Sequence, residues 1–370
     1  MTLRKIIYWP HLISGVLAGI VIFILSASGV VLTYERQIIA WGENEYYSTA
    51  PENAQYLPME EIANIAQAQM NGSNLRSIKI ENNPEAPVVI RGDKYYYINP
   101  YSGEILGNGP QGIRDFFYDT MMFHRWLLLK DESRAVARSI IGAANVVFFF
   151  ILFSGLYLWL PNVYKWSNFK KSLFFHKNAT SHARDFNWHH VFGIWSAIPL
   201  LLIAASGAWF YYDWADKLGD YIAGDAPAIN GAIEIKTNSN IPASLDTMFA
   251  TAKAQRENWH SISMNAPKEE DTSIRFVIDK SKGGQPLQVA ELTLNRVNGN
   301  IEIWHSFENY AAERKMTNFL RYGHTGEFFG IIGQTIAGLV SLFATIMVWT
   351  GLALAYRKYV TPWLKKRSKV

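Results

Sequence analysis

The 370-residue chain contains no cysteine. That absence excludes a disulfide framework, an iron–sulfur cluster, a thiolate zinc site, a cysteine nucleophile and covalent C-x-x-C-H haem attachment. Any metal or cofactor must be held by His, Met, Tyr, carboxylates or the backbone. Charge is also sparse. Asp, Glu, Lys and Arg make up 18% of the residues, against about 25% in an ordinary soluble protein. The chain has no P-loop, H-E-x-x-H or serine-triad signature; one G-x-G-x-x-G run occurs, Gly107 to Gly112, and alone it is a weak sign of a nicotinamide or flavin site. Nothing in it points to a nucleic-acid partner.

What the chain does have is aromatic and apolar mass, including 13 Trp. The mean hydropathy of −0.02 looks soluble, but it averages two different materials. Four apolar blocks run from about Leu12 to Leu32, Ser139 to Leu160, Val191 to Tyr212 and Phe328 to Tyr356. Each supplies the roughly 20 apolar residues needed to cross a ~30 Å hydrocarbon core. The first block is too long for a secretory signal core and runs into Tyr34-Glu35-Arg36 without a small-x-small cleavage site, so it reads as an uncleaved span. The lipid bilayer is therefore an expected partner.

Charge gives the orientation. The N-terminal tail, the loop at 161–187 and the C-terminal tail together hold thirteen basic residues against the single acid Asp185, a balance of +12, and the rest of the chain carries −8. The positive-inside rule places both termini and that loop in the cytoplasm. Segments 35–137 and 213–327 then face the other side. Trp9, Trp159, Trp166, Trp209, Trp214 and Trp363 lie near span ends, as an interfacial belt requires.

Both outer segments read as small α+β modules. In the first, Met59–Met70 has helical apolar spacing and ends at Asn71-Gly72. Ser77–Ile80, Pro87–Ile90 and Tyr95–Ile98 are strands, and the turn Asn99-Pro100-Tyr101-Ser102-Gly103 leads into Glu104-Ile105-Leu106. In the second, Pro242–Ala254 is a helix, Ile274–Ile278 and Gln288–Leu294 are strands, and Asn298-Gly299-Asn300 turns into Ile301-Glu302-Ile303.

The spans repeat as well. His11, Gly15, Ser28, Gly29, Tyr34 and Glu35 match His189, Gly193, Ser206, Gly207, Tyr212 and Asp213 at one offset of 178 residues. Ser154-Gly155-Leu156 in span two matches Thr350-Gly351-Leu352 in span four, and His124 and His324 precede those spans on the outer side. The expected fold is a membrane α-helical bundle of four transmembrane helices in two repeats, with two small extracytoplasmic α+β modules. The divisions are 1–36 (span one), 37–115 (first module), 116–161 (interfacial helix and span two) and 162–187 (basic loop). The second half runs 188–213 (span three), 214–322 (second module), 323–357 (span four) and 358–370 (basic tail). Repeated halves tend to place sites at their shared interface.

The His-x3-Gly…Ser-Gly unit carries a specific likeness. So do the run from Tyr95 to Ile105, His124-Arg125, the stretch from Ser154 to Pro161, and His324-x5-Gly330 with Thr350-Gly351-Leu352. Over nearly its whole length the chain resembles the PepSY-associated transmembrane family. The resemblance implies PepSY-like outer modules, a multi-pass location in a bacterial inner membrane and a part in iron uptake. Relatives of this kind include siderophore reductases that carry b-type haem and reduce ferric iron on the periplasmic side.

Nine histidines are present. Ionisable side chains at membrane depth are functional candidates by default. His11 and His189 fall at the cytoplasmic ends of spans one and three, and His124 and His324 on the outer side before spans two and four. One pair per leaflet is what two bis-histidine b haems require. His190, next to His189, is the alternative ligand, and Met121 and Met122 are alternatives near His124. Gly15, Gly193, Gly155 and Gly351 leave room for a macrocycle to pack. Arg125 and Arg321, among the arginines near the outer histidines, could pair with haem propionates or anchor the lipid interface. A continuous helix from His124 to Leu160 would be about 55 Å long, so Lys130-Asp131-Glu132-Ser133 is expected to break it and leave His124 on an interfacial helix, Phe116–Leu129. His176 and His182 lie in the polar loop. His260 and His305 lie in the second module, and His305 is the one near a possible substrate mouth.

The function expected is periplasmic reduction of ferric iron, siderophore-bound, by a di-haem b electron-transfer protein fed by a quinol or a cytoplasmic reductase. The catalytic residues are unassigned. The alternatives are a non-redox PepSY-type binding or regulatory protein and a permease subunit for iron chelates.

Overall fold

A computed structural model describes residues 2–53, 55–70, 75–177, 180–224, 244–266 and 271–367. The expected Asn71-Gly72 helix stop and the first residues of the helix expected from Pro242 lie outside them. In chain order the helices are α1 (Leu3–Leu32), α2 (Glu35–Glu43) and α3 (Met59–Met70), followed by strands β1 (Ser77–Glu81), β2 (Val88–Arg91), β3 (Tyr95–Ile98) and β4 (Ile105–Gly107). Next come α4 (Gln111–Trp126), α5 (Arg134–Trp159), α6 (Trp166–Leu173), α7 (Ser181–Tyr211), α8 (Asp213–Ala223) and α9 (Leu245–Gln255). Strands β5 (Ser261–Asn265), β6 (Ser273–Asp279), β7 (Val289–Asn295) and β8 (Ile301–Ser306) precede α10 (Ala312–His324), α11 (Gly330–Ala355) and α12 (Thr361–Arg367).

These elements fall into two compact units. One comprises Met1–Glu35, Phe116–Gly219 and Phe319–Val370; the other comprises Arg36–Asp115 and Asp220–Asn318.

The first unit is helical. Four of its helices are long and apolar enough to cross a membrane. In it, α1 packs on α5 and α11, and α7 packs on the same two helices, closing a four-helix ring. The inward positions are mostly small, such as Ala18, Gly19, Ala144, Ala197, Ala204, Ala337 and Ala344. In lipid, tails offer no hydrophobic gain to inter-helix packing, so small residues that let backbones approach closely hold such a bundle together. The outward positions are large and bare: Leu17 is 77% exposed and Ile198 82%. An apolar surface of that kind requires hydrocarbon around it.

Polar groups at one end of the ring satisfy helix termini and each other. The Arg4 guanidinium donates to the carbonyls of Leu158 and Leu160, which α5 leaves unpaired at its C-terminus. Asp185 is buried and accepts from Arg357 at 2.6 Å and from Arg184 at 3.0 Å.

Two sharp turns set up the helices that carry the outer histidines. After α4, Leu127 and Leu128 take left-handed φ values of 49° and 62°, a costly backbone state for side chains of this size. Their N–H groups donate back to Phe123 and Met122, ending the helix just past His124. The helix thus ends at Trp126, before the Lys130–Ser133 stretch where the break was expected. After α10, Gly326 turns at φ 76°, and a Cβ there would overlap the Gly333 backbone.

The second unit holds a single antiparallel sheet of order β4-β3-β2-β1-β5-β6-β7-β8. The strands expected in the two modules thus belong to one sheet. Strands β1 and β5 pair from Ser77↔Asn265 to Glu81↔Ser261 and join the halves. Each half alone would leave β1 or β5 as an open edge, and pairing them removes both edges. One core runs through both halves, with Ile78, Ile90, Ile262, Phe276, Ile278 and Leu292 all buried beneath α3 and α9. The two helices also cap one another: the Met59 N–H donates to Asp246 Oδ1 at 2.7 Å, and the Leu245 N–H donates to Glu60 Oε1 at 2.5 Å. Each acid thus satisfies an orphan donor of the other helix's first turn.

Candidate functional site

The four histidines expected to act together all belong to the helical unit, and each is half-buried. They lie at two levels. At one level, His11 on α1 places Nδ1 2.9 Å from Ser154 Oγ on α5. His189 on α7 places Nδ1 3.0 Å from the Met347 carbonyl and 3.2 Å from Thr350 Oγ1 on α11. At the other level the roles of the helices are exchanged. His124 on α4 places Nδ1 2.8 Å from Ser28 Oγ on α1. His324 on α10 places Nδ1 2.9 Å from Ser206 Oγ and 3.1 Å from the Ile203 carbonyl on α7. Seventeen residues separate His11 from Ser28, and His189 from Ser206, so the levels are about 25 Å apart along the helices at ~1.5 Å per residue.

The second level has a measurable internal spacing. The rings of His124 and His324 lie 6.4 Å apart, centroid to centroid, with planes at 70°. Two imidazoles on opposite sides of one metal need two bonds of about 2.0–2.1 Å. Adding the ring radius on each side, about 1.1–1.2 Å, gives a centroid separation of roughly 6.2–6.6 Å for that bond length. The separation of His124 and His324 leaves room for one metal ion between two imidazoles, and in both rings Nδ1 is engaged while Nε2 has no hydrogen bond among the described residues. No cluster of three or more His, Asp or Glu suited to a metal ion occurs among the described residues.

The remaining candidates sort by position. His190 Nδ1 bonds the Phe186 carbonyl of its own helix at 2.9 Å, and its ring lies on Phe186. It is His189, not His190, that reaches a neighbouring helix in the manner of His11. Met122 is buried and Met121 half-buried on α4. The four glycines divide into two kinds. A Cβ on Gly155 would lie 3.3 Å from His11 Cε1, and one on Gly351 3.2 Å from His189 Cε1. These two positions face imidazoles. A Cβ on Gly15 would meet nothing within 4 Å, and one on Gly193 would meet only Met347 Sδ. Arg125 and Arg321 are exposed and stack on their neighbours Trp126 and Tyr322.

In the sequence, Ser28, Ser154, Ser206 and Thr350 stand out only as landmarks of the repeat. The one signal of a further role is a Ser/Thr-Gly dipeptide in every span. Asn145 carries no such signal. Its Oδ1 is buried in the bundle without a hydrogen-bond partner, and its Nδ2 would clash with a Cβ on Gly207.

His260 and His305 belong to the sheet unit, on a polar face where charges are already matched. Glu81 accepts from Lys79 at 2.7 Å and from the Tyr47 hydroxyl at 2.9 Å, with His260 Nε2 at 4.0 Å. Burial opposes its charge, but Lys79, Tyr47 and His260 outweigh burial and hold the carboxyl below its ordinary value. Burial raises Asp279, with Ser281 hydrogen bonds opposing. Glu291 bridges Arg275 and Arg314 at 2.6 and 2.7 Å and pairs across the ladder with His305, whose ring abuts Tyr310. His176 contributes only its backbone N–H, to Asn187.

Four membrane-length helices, with imidazoles held between helices at two depths and a sheet unit inserted twice into the sequence, define a polytopic membrane protein with an internal polar site. The chain belongs to the family described as PepSY-associated TM region, whose model matches residues 8–358. No curated protein matches the chain.

Proposed function

We propose that this membrane protein carries two b-type haems and passes electrons across the bilayer to reduce ferric iron, siderophore-bound, at the periplasmic face. The observation that carries the reading is the 6.4 Å spacing of His124 and His324, with Nδ1 of each ring held by a neighbouring helix. His124 and His324 would hold one haem, and His11 and His189 the other. Haem supplies reversible one-electron storage at the iron.

The chain's own residues provide the setting. The hydroxyls and carbonyls of α1, α5, α7 and α11 fix the rings, and the apolar packing around Leu152, Leu200, Val340 and Ala344 keeps water out of the space between levels. Levels about 25 Å apart cover most of a ~30 Å hydrocarbon core, which suits electron passage from one face to the other. Each Fe(III) gains one electron and becomes Fe(II), which hard oxygen chelators hold less tightly, so no acid–base triad is needed. The electrons come from a quinol or a cytoplasmic reductase, and the basic side of the chain suits an acidic donor or anionic lipid.

The test is to reduce the purified protein with a quinol analogue, add a ferric siderophore under anaerobic conditions, and trap Fe(II) with a chromogenic chelator. The expected result is reoxidation of the protein in step with Fe(II) appearance. A reduced protein that the ferric chelate leaves reduced contradicts the reading and favours a binding or regulatory role.

A further inference from the structure

The four histidines are held by one recurring device. In each case a Ser or Thr in a neighbouring span sits beside a ring Nδ1 and is followed by glycine. The hydroxyl has a single proton to give; in three of the four places a backbone carbonyl lies closer to it than the imidazole does, and at Ser206 the two are equally close. Ser28 donates to the Ile24 carbonyl at 2.6 Å and Ser154 to Phe150 at 2.6 Å. Ser206 donates to Leu202 at 2.9 Å and Thr350 to Ile346 at 2.9 Å. With its proton spent on the helix backbone, each hydroxyl can only accept from the imidazole.

A second acceptor points the same way. The carbonyl three residues before the hydroxyl also faces Nδ1, at 3.1 Å for Ile203 and 3.0 Å for Met347. In the sequence, Ile151 and Leu25 hold the corresponding position three residues before Ser154 and Ser28. A carbonyl oxygen cannot donate, so Nδ1 must carry the proton. In a neutral imidazole the other nitrogen then holds a free lone pair.

We infer that Ser28, Ser154, Ser206 and Thr350 are positioning residues that lock His124, His11, His324 and His189 into the Nδ1–H tautomer and so reserve each Nε2 for iron. The inference rests on the haem reading for the identity of the metal. The tautomer itself does not depend on it. The following glycine completes the cradle, most tightly at Gly155 and Gly351, where any side chain would press the ring away from its acceptors.

Two measurements test this. In the apo protein, nitrogen NMR with assigned, labelled histidines should show His11, His124, His189 and His324 each protonated at Nδ1 and unprotonated at Nε2. Protonation of these four rings at Nε2 would overturn the assignment whether or not haem binds. In the haem-loaded protein, Ser28→Ala and Thr350→Val should each weaken haem binding at their own level by about 10–100-fold, the range for loss of a partner that orients a metal ligand. The midpoint potential of that haem should rise, because a less basic ligand stabilises ferric iron less. The conservative Ser28→Thr and Thr350→Ser should restore both properties, which a purely structural hydroxyl would not require. Unchanged affinity and potential in Ser28→Ala and Thr350→Val would overturn the inference. A wild-type chain that takes up no haem, yet shows the Nδ1–H tautomers, would refute the haem reading and leave the positioning role standing.

Discussion

The helical unit and the sheet unit use buried polar groups in opposite ways. In the sheet unit they close on one another: Glu81 meets Lys79 and Tyr47, Glu291 meets Arg275 and Arg314, and the N-termini of α3 and α9 exchange caps. In the helical unit the Ser and Thr hydroxyls are satisfied by their own backbone and spend their remaining capacity on imidazoles, each of which keeps one nitrogen uncommitted. Unmatched polar capacity inside a low-dielectric bundle is costly. Its appearance four times, in equivalent settings, marks the helical unit as the place where a ligand is held. The sheet unit, self-satisfied, reads as scaffold and surface.

That contrast can be broken experimentally, most severely at the imidazoles. Replacing His324 with Ala should abolish ferric reduction and cut haem content to about half, because one of the two ligands of one site is gone. The absorbance of the haem held by His11 and His189 should persist. Equal loss of both haems would show that the levels are not independent. Next in size, Phe276→Ala opens a cavity in the core of the sheet unit and should cost about 3–5 kcal/mol of stability. Calorimetry should show that loss with the haem spectrum unchanged. Altered haem absorbance would mean that the sheet unit is more than scaffold.

Smaller changes sharpen the comparison within the bundle. Gly351→Ala presses a methyl against His189 and should shift the spectrum of that haem, while Gly15→Ala, where a Cβ meets nothing, should leave it as it is. If Gly15→Ala gives the larger shift, the glycines serve the macrocycle and not the rings. Smallest is a pH effect in the sheet unit. Glu81 has a folded pKa below its unfolded one. Its contribution is therefore full above the ordinary carboxylate pKa of about 4.3 and is lost as pH falls through the lowered value. Glu81→Gln should flatten the fall in thermal stability below about pH 4. An unchanged pH profile would remove Glu81 from the acid response.

Much of this arrangement is legible in the sequence, for physical reasons. Four uncharged apolar runs of bilayer length are hard to place inside a water-soluble core, and histidines at their ends are costly enough to stand out. The step from His189 to Gly193, matching His11 to Gly15, favours His189 over His190, and in the fold His189 is the residue that reaches across to α11. Other features cannot be read along the chain. The partner of each Ser-Gly or Thr-Gly lies on a different helix, 96 to 161 residues away, and the dipeptide itself is commonplace. Strand β5, Ser-Ile-Ser-Met-Asn, is made largely of residues that favour strands weakly. Its weak signal hides the pairing to β1 that turns two modules into one sheet. The Leu127-Leu128 turn is hidden for a similar reason, since leucine gives no hint of a left-handed backbone.

The central claim, that the two imidazole levels hold haem, is tested most directly by an optical spectrum with a haem assay on protein purified from haem-replete cells. The account predicts a low-spin, bis-imidazole b-type spectrum and about two haems per chain, one for each histidine pair. A colourless preparation would contradict it.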